Sequence, residues 1–410
     1  MKTLINNIKK KCVKNKVKII FLVCTICIFA ATCLAVWGAY FERSDFLEHG
    51  KWALTITKDT LINFIKEYCS YPMWHIGVKI LYTLTGVSQF TAVSLCTSIF
   101  NCIAFFAVIY IWRIIDSKAT IVQRIIGSTC LMFIGPLYIP WASTLYYLGP
   151  GTGNIWHNPT HITVKFFAVM SFGIILFILQ KQNDAKNCWK KYLLLSIMLL
   201  LSALAKPSFL QGMIPGLGLY FLFQIIFNAK RKRNIKKYLS IMMCFIPCAV
   251  VIIFQFMLAF FTDTTVNEGG GIGISFGKVL YKYTNSISIS FLIALAFPIV
   301  MLLTNYRKLI RDTSVQLAIC YEICAWLESC FLYEKGERCW HGNWFWGSYI
   351  SLFIIWMVFF IKYVNLYREE KLVTNKWKII LPGLVIILQL IFGFLFWCIF
   401  VMGIYKYLCQ

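Results

Sequence analysis

Apolar stretches of roughly 20 residues recur along this chain, with short polar loops between them. A stretch of this length is enough for one helix to cross the hydrocarbon core of a bilayer. The pattern predicts an all-α polytopic integral membrane protein with about 11 transmembrane helices. The predicted spans are 19–40, 90–112, 125–147, 162–180, 192–205, 209–227, 239–261, 286–304, 314–333, 348–364 and 379–402.

Composition agrees with a membrane class. Hydrophobic residues make up 60% of the 410 residues and aromatic residues 17%, and the mean hydropathy is +0.72. Soluble domains are only about half apolar. We therefore expect a single transmembrane domain over 1–410, with a basic N-terminus at 1–18, a first extracytoplasmic loop at 41–89 and the remaining spans at 90–410. Most of the 17 cysteines lie inside apolar runs and are expected to be small apolar fillers.

Basic residues alternate between the two sides of the predicted spans. If the N-terminus is cytoplasmic, the inner loops hold about 28 of the 40 lysines and arginines. This bias follows the positive-inside rule and accounts for the net charge of +24 without nucleic acid as a partner. The chain is therefore predicted to lie in the cell membrane as a multi-pass protein, with its C-terminus extracytoplasmic. All five histidines then fall on the outer side.

The first outer loop is long and patterned. Leu47, Leu54, Leu61 and Tyr68 recur at heptad spacing, and Ile65 reinforces the stripe. This spacing predicts an interfacial helix that lies on the membrane surface.

Acidic residues begin the same loop. Glu42, Asp45, Glu48 and His49 are spaced so that they share one face if the segment is helical. A carboxylate held there can act as a general base on a substrate hydroxyl. The alternatives are a solvated helix start, where acids favour the helix dipole, and a metal site formed by Asp45, Glu48 and His49.

Later outer loops carry further polar residues. His157 and His161 flank Pro159, which argues against a continuous helix through both. Either a turn directs the imidazoles into a cleft, or they only cap the loop near the lipid headgroups. Lys206 stands directly before Pro207 between two apolar runs, where it either snorkels to the interface or binds a lipid-linked phosphate. The fifth loop contains an arginine, whose N–H groups can bind a phosphate in pairs, and several tryptophans. The indoles either stack on sugars or form an aromatic belt at the membrane interface. The members of this loop are Glu337, Arg338, His341 and Asn343, among Trp340, Trp344 and Trp346.

Three short stretches resemble a known class of enzyme. They read YPMWH at 71–75, AKPSF at 205–209 and GERCWHGNWFWG at 336–347. Together with acids after the first span and an interfacial helix, they are similar to the GT-C class of membrane glycosyltransferases. The resemblance covers most of the chain as topology.

The resemblance implies sugar transfer from a polyprenyl-phosphate donor to a glycan or lipid-linked acceptor at the extracytoplasmic face of the bilayer. It implies Asp45 as the catalytic acid, with Glu48 and His49 beside it, and Lys206 and Arg338 as donor-phosphate ligands. Further substrate contacts are expected at His75, His157, His161, Glu337, His341 and Asn343. The first loop lacks an adjacent acidic pair or a DxD motif, so no metal ligand is assigned and the need for a divalent cation stays open.

Two other functions share the span count. A cell-surface polysaccharide polymerase would also use a lipid-linked substrate, but its large catalytic loop is expected later in the chain. A non-enzymatic flippase or transporter of lipid-linked sugars would have paired halves and charges near the bilayer midplane. The sequence has no evident internal repeat.

Overall fold

The computed structural model describes residues 2–41, 44–143, 151–180, 189–227, 234–261, 270–369 and 376–403, without the side chains of 2–13, 259, 260 and 337. These residues form 16 α-helices and one small sheet. The helices are α1 (Lys2–Ala39), α2 (Asp45–Leu54), α3 (Leu61–Glu67), α4 (Met73–Thr85), α5 (Gln89–Ile115), α6 (Ile121–Leu131), α7 (Pro159–Gln180), α8 (Trp189–Ala205), α9 (Ser208–Phe227), α10 (Ile235–Met243), α11 (Ile246–Phe260), α12 (Ile287–Ala294), α13 (Ala296–Leu309), α14 (Thr313–Phe331), α15 (Phe345–Glu369) and α16 (Trp377–Val401).

Six helical segments are long and apolar enough to cross a membrane. Two further pairs, α10 with α11 and α12 with α13, reach that length only together and are bent by 44° and 67°. The described chain is therefore an all-α protein with six to eight helices able to span a bilayer, which agrees with a membrane location. The six segments are Lys14–Ala39, Gln89–Ile115, Pro159–Gln180, Ser208–Phe227, Arg338–Glu369 and Trp377–Val401.

The prediction of a continuous helix over 125–147 is wrong for the described residues. Helix α6 ends at Leu131, and the chain from there to Ser143 is not helical. Pro136 and Pro140 explain the break, because proline has no backbone N–H and clashes with the preceding turn. The released backbone pairs elsewhere, since the amide of Gly135 donates to the carbonyl oxygen of Gln389 at 3.1 Å.

The first loop does not form one continuous helix, because three short helices, α2, α3 and α4, occupy 45–85. Between α2 and α3, the hydroxyls of Thr57 and Thr60 each accept a hydrogen bond from the other residue's amide, which competes with helical pairing. The largest side chains that these three helices bury are Phe46, Phe64 and Trp74, and none of them belongs to the predicted heptad stripe.

A two-stranded antiparallel sheet joins β1 (Gly271–Ile274) to β2 (Leu332–Lys335). A 3₁₀ helix, Gly336–Trp340, follows β2 directly and leads toward α15. At the end of α5 away from α2, Arg368 contacts Asp116 at 2.7 Å and so ties α15 to α5. The long helices are thus held at one end by ion pairs, while the short helices and the sheet gather at the other.

Gly393 permits a close crossing of α16 by the chain after α6. A Cβ added at Gly393 would lie 1.9 Å from the carbonyl oxygen of Phe133, which is backbone and cannot rotate away. We expect Gly393→Ala to lower the free energy of unfolding by about 3 kcal/mol, measured by denaturant unfolding in detergent. Gly218→Ala is the matched control, because a Cβ there meets nothing within 4 Å. Equal stability of the two variants would contradict the crossing.

Candidate functional site

A cleft of about 650 Å³ lies beside the turn between α8 and α9. Lys206 and Arg338 both line it, together with Glu334. Tyr71 and Trp346 supply aromatic walls. The cleft therefore joins four parts of the chain that are far apart in sequence, namely the end of α3 with the connection to α4, the Lys206 turn, α11 and the segment from β2 to α15.

Helix α11 adds mainly apolar side chains to the lining of the cleft, with Gln255 as its polar member. Ile252 and Phe256 of α11 line it, and Ile253, Phe254 and Met257 on the same helix are exposed. An exposed apolar helix face of this kind suits contact with lipid. The cleft thus has a cationic, aromatic side and an apolar side within one space.

Lys206 is buried at the polar side of the cleft. Pro207 breaks the chain between α8 and α9, and the lysine occupies the break. Its ammonium lies 4.0 Å from the centroid of the Trp346 ring and donates to Asn158 Oδ1 at 3.2 Å and Thr160 Oγ1 at 3.3 Å. Burial lowers the pKa of Lys206 from its ordinary value near 10.5 to about 8, although the negative charge of Asp45 opposes the change.

Asn158 connects Lys206 to Asp45. Its Nδ2 donates to Asp45 Oδ2 at 2.5 Å, while its Oδ1 accepts from Lys206 and from the amide of His161 at 2.8 Å. The contact with His161 caps the start of α7, whose first residue is Pro159. Sequence reasoning missed Asn158, although an asparagine directly before a proline is a recognisable helix-start signal.

Asp45 begins α2 and is half-buried. It does not line the cleft itself, and it reaches Lys206 through Asn158. Asp45 is therefore linked to Lys206 through the Asn158 amide but lies outside the lining of the cleft that Lys206 and Arg338 share. Glu48, one turn later, is exposed and pairs with Lys51 at 2.8 Å, while Glu42 lies outside the described residues.

His49 and His75 form a pair that joins α2 to α4. The Nδ1 atom of His49 lies 2.8 Å from the Nε2 atom of His75, and the ring of His49 is 4.7 Å from that of Trp52. Burial lowers the pKa of His49 to about 4 and that of His75 well below its ordinary value. Both rings are therefore neutral at pH 7, and their contact holds α2 and hence the backbone of Asp45 in place.

His157 and His161 lie beneath Trp346. Its ring centroid is 5.9 Å from that of His157 and 5.5 Å from that of His161. Neither histidine is among the residues that line the cleft, since the indole stands between them and it. Burial lowers the pKa of His157 to about 4. No described group hydrogen-bonds to either ring nitrogen of His161, which is fully buried.

The fifth predicted loop divides between the cleft and the surface. Arg338 Nε contacts Glu334 at 3.2 Å, and Asn343 Nδ2 donates to the same carboxylate at 2.9 Å. His341 is exposed, and the side chain of Glu337 lies outside the described part of the chain. Sequence reasoning did not single out Glu334; only the pairing of β2 with β1 reveals that it is buried.

Among the residues that the structure describes, no three His, Cys, Asp or Glu side chains gather closely enough to hold a metal ion. Asp45, Glu48 and His49 point to three different partners, which are Asn158, Lys51 and His75. The described part of the chain therefore offers no preformed ligand set for a divalent cation, and the need for one stays open.

Fold and site together define a class: a multi-pass helical protein with a cleft that has one cationic and one apolar wall, and a buried lysine at its base. The chain matches no known family model, and no curated protein is significantly similar to it.

Asn158 is expected to hold both Asp45 and Lys206 in position. Asn158→Ser keeps a side-chain oxygen that can cap α7 but is too short to reach Asp45, so we expect the activity of the site to fall about 10- to 100-fold with only a small loss of stability. Asn158→Ala removes the cap as well and is expected to cost about 1 kcal/mol of stability more, the usual contribution of a cap. An activity assay and thermal unfolding of both variants test this, and full activity in Asn158→Ser would exclude the positioning role.

Proposed function

We propose that the protein is a membrane glycosyltransferase that transfers a sugar from a polyprenyl-phosphate donor to a glycan or lipid-linked acceptor at the extracytoplasmic face. The observation that carries this proposal is the hydrogen-bonded series Asp45, Asn158 and Lys206, in which Lys206 lines a cleft that also holds Arg338. It combines a carboxylate that can act as a base with a buried cation that has only neutral direct partners among the described residues.

The two walls of the cleft suit the two parts of such a donor. The phosphate would contact Lys206 and the N–H groups of Arg338, which match phosphate oxygens. The polyprenyl chain would run along Ile252 and Phe256 of α11 toward the lipid. Tyr71 would face the sugar, because aromatic faces stack on the apolar side of sugar rings.

The proposed reaction is a displacement with inversion. The acceptor oxygen forms a bond to the anomeric carbon as the bond from that carbon to the phosphate oxygen breaks. Asp45 takes the proton of the acceptor hydroxyl, and Lys206 stabilises the charge that develops on the departing phosphate. For the acceptor to reach Asp45, it must approach from the α2 side of Asn158.

The face of the membrane on which the cleft opens depends on the number and direction of the spans. Eleven spans with a cytoplasmic N-terminus, a surface-lying α2 to α4 segment and an extracytoplasmic C-terminus would put the cleft at the outer face. Accessibility of single cysteines at Lys51 and Lys278 to a membrane-impermeant thiol reagent in intact cells, in a cysteine-depleted background, tests the orientation. Labelling of both positions only after the cells are opened would reverse it.

A transporter of lipid-linked sugars is the second candidate, and two buried ionisable groups within the helices favour it. Lys165 donates to Asn154 Oδ1 at 2.8 Å, and Glu322 accepts from Ser351 Oγ at 2.6 Å. Ionisable groups at such positions often belong to transport pathways. Each has a neutral hydrogen-bond partner here, which also suits a structural role.

One experiment separates the candidates. The purified full-length protein is reconstituted into vesicles with radiolabelled polyprenyl-phosphate sugars and a mixture of cell-envelope acceptors. Label that moves from the donor to an acceptor supports the transferase. Extension of a lipid-linked glycan by whole repeat units would favour the polymerase, and movement of intact donor across the bilayer without transfer would favour the transporter.

A further inference from the structure

The charge of the cleft can be counted from its described lining residues. Five of them carry formal charges: the cations Lys66, Lys206 and Arg338 and the carboxylates Glu67 and Glu334. Three positive and two negative charges leave one positive charge in excess. Lys66 and Glu67 are both exposed at the rim, so solvent screens them most.

Glu334 matches the charge of Arg338 within the cleft. Its side chain is only 7% exposed, whereas that of Arg338 is 49% exposed. The carboxylate oxygen Oε2 accepts from both Arg338 Nε and Asn343 Nδ2, and β2 pairs with β1 to hold the Glu334 backbone. Arg338 therefore presents its remaining N–H donors to the cleft while its positive charge is largely balanced.

Lys206 is left as the buried cation without a directly contacting carboxylate among the described residues. Its contacts are the neutral oxygens of Asn158 and Thr160 and the rings of Trp346 and Tyr71. The negative charge of Asp45 acts on Lys206 only from the far side of Asn158, outside the residues that line the cleft. An anionic ligand in the cleft can supply the direct ion pair that Lys206 lacks there.

We infer that Glu334 is a specificity-determining residue that restricts this cleft to lipids linked through one phosphate and disfavours those linked through a diphosphate. The inference rests on the proposed function, because it concerns the donor of the same site. A sugar-linked phosphodiester carries one negative charge and matches the excess at Lys206. A sugar-linked diphosphate carries two, and its second charge would face the buried Glu334 carboxylate with no free cation among the described lining residues to balance it.

The test compares two radiolabelled lipids of equal chain length, polyprenyl methyl phosphate and polyprenyl methyl diphosphate. The methyl groups give the probes the charges of sugar-linked donors without a choice of sugar. Equilibrium binding is measured to the full-length protein in nanodiscs. We expect the wild type to bind the monophosphate about tenfold more tightly, and Glu334→Gln to improve diphosphate binding about tenfold relative to monophosphate binding.

Two variants serve as controls. Glu67→Gln changes the lining charge by the same amount at the exposed rim and should alter the preference less than about twofold. Glu334→Asp keeps the negative charge on a shorter side chain and should retain most of the wild-type preference, and monophosphate binding by Glu334→Gln shows that position 334 tolerates glutamine.

An unchanged preference in Glu334→Gln, with both probes bound by the wild type, would overturn the role of Glu334 and leave the transferase proposal standing. Failure of the wild type to bind either probe would overturn both. A wild type that prefers the diphosphate would contradict the charge argument alone.

Discussion

Asp45→Asn is expected to lower the rate of sugar transfer by about 100- to 10,000-fold, the usual contribution of a general base. Asparagine has nearly the same shape as aspartate and can still accept a hydrogen bond from Asn158 through its Oδ1. The substitution therefore removes the negative charge and the basicity while it preserves the packing of α2. The measurement is single-turnover transfer from a polyprenyl-phosphate sugar that the wild type uses.

Glu48→Gln provides the matched control for this prediction. Glu48 lies one turn further along the same helix, is exposed and contacts only Lys51 among the partners described for it. Its loss should change the rate less than about twofold, because exposed ion pairs contribute little. Similar losses in the two variants would point to a general effect on α2, and full activity in Asp45→Asn would remove Asp45 from the mechanism.

Lys206→Gln is expected to weaken donor binding by at least about 100-fold, because it leaves the phosphate without its buried cation. Lys278→Gln is the control, since Lys278 is an exposed lysine that lies over the ring of Tyr333 at 4.0 Å. Binding of radiolabelled polyprenyl methyl phosphate, which carries one charge as the sugar-linked donor does, to the protein in nanodiscs measures both. Equal affinities of Lys206→Gln and the wild type would contradict the proposed phosphate site.

The pH dependence of donor binding follows from the same lysine. Burial lowers the pKa of Lys206 to about 8, so the ammonium is fully charged only below that pH. Donor affinity should be nearly constant from about pH 6.5 to about 7.5, where the lysine is mostly charged, and should fall as the pH rises through the pKa. A bound phosphate favours the charged lysine and moves the decline to higher pH. The decline should be absent in Lys206→Gln.

Sequence reasoning reached part of this site because some signals are local. Pro207 made the break at Lys206 evident, and the cluster of polar and indole side chains marked the segment around Arg338. Both residues do line one cleft. Their approach depends on α9 and α15 packing together, which no local pattern reports.

Other parts of the site lay beyond a local signal. Asn158 connects two residues that are 113 and 48 positions away in the chain, and Glu334 is buried because β1 pairs with β2 across a long connection. The hydropathy pattern also predicted one continuous helix over 125–147 and one in the first loop, and neither is continuous in the structure. In both, a break in the backbone changed which side chains face inward. Within α2, Glu48 is exposed and pairs with Lys51, so it does not join the expected cluster.

The amino-acid sequence by itself determined that this chain is helical and multi-pass, because each apolar run must satisfy its own backbone hydrogen bonds in lipid and only a helix does so within one segment. Tertiary structure alone decided that Asp45, Asn158 and Lys206 are linked, that Trp346 separates the buried histidines from the cleft, and that Glu334 balances Arg338. These are contacts between segments, and their energies depend on distances and burial that arise only when the helices pack.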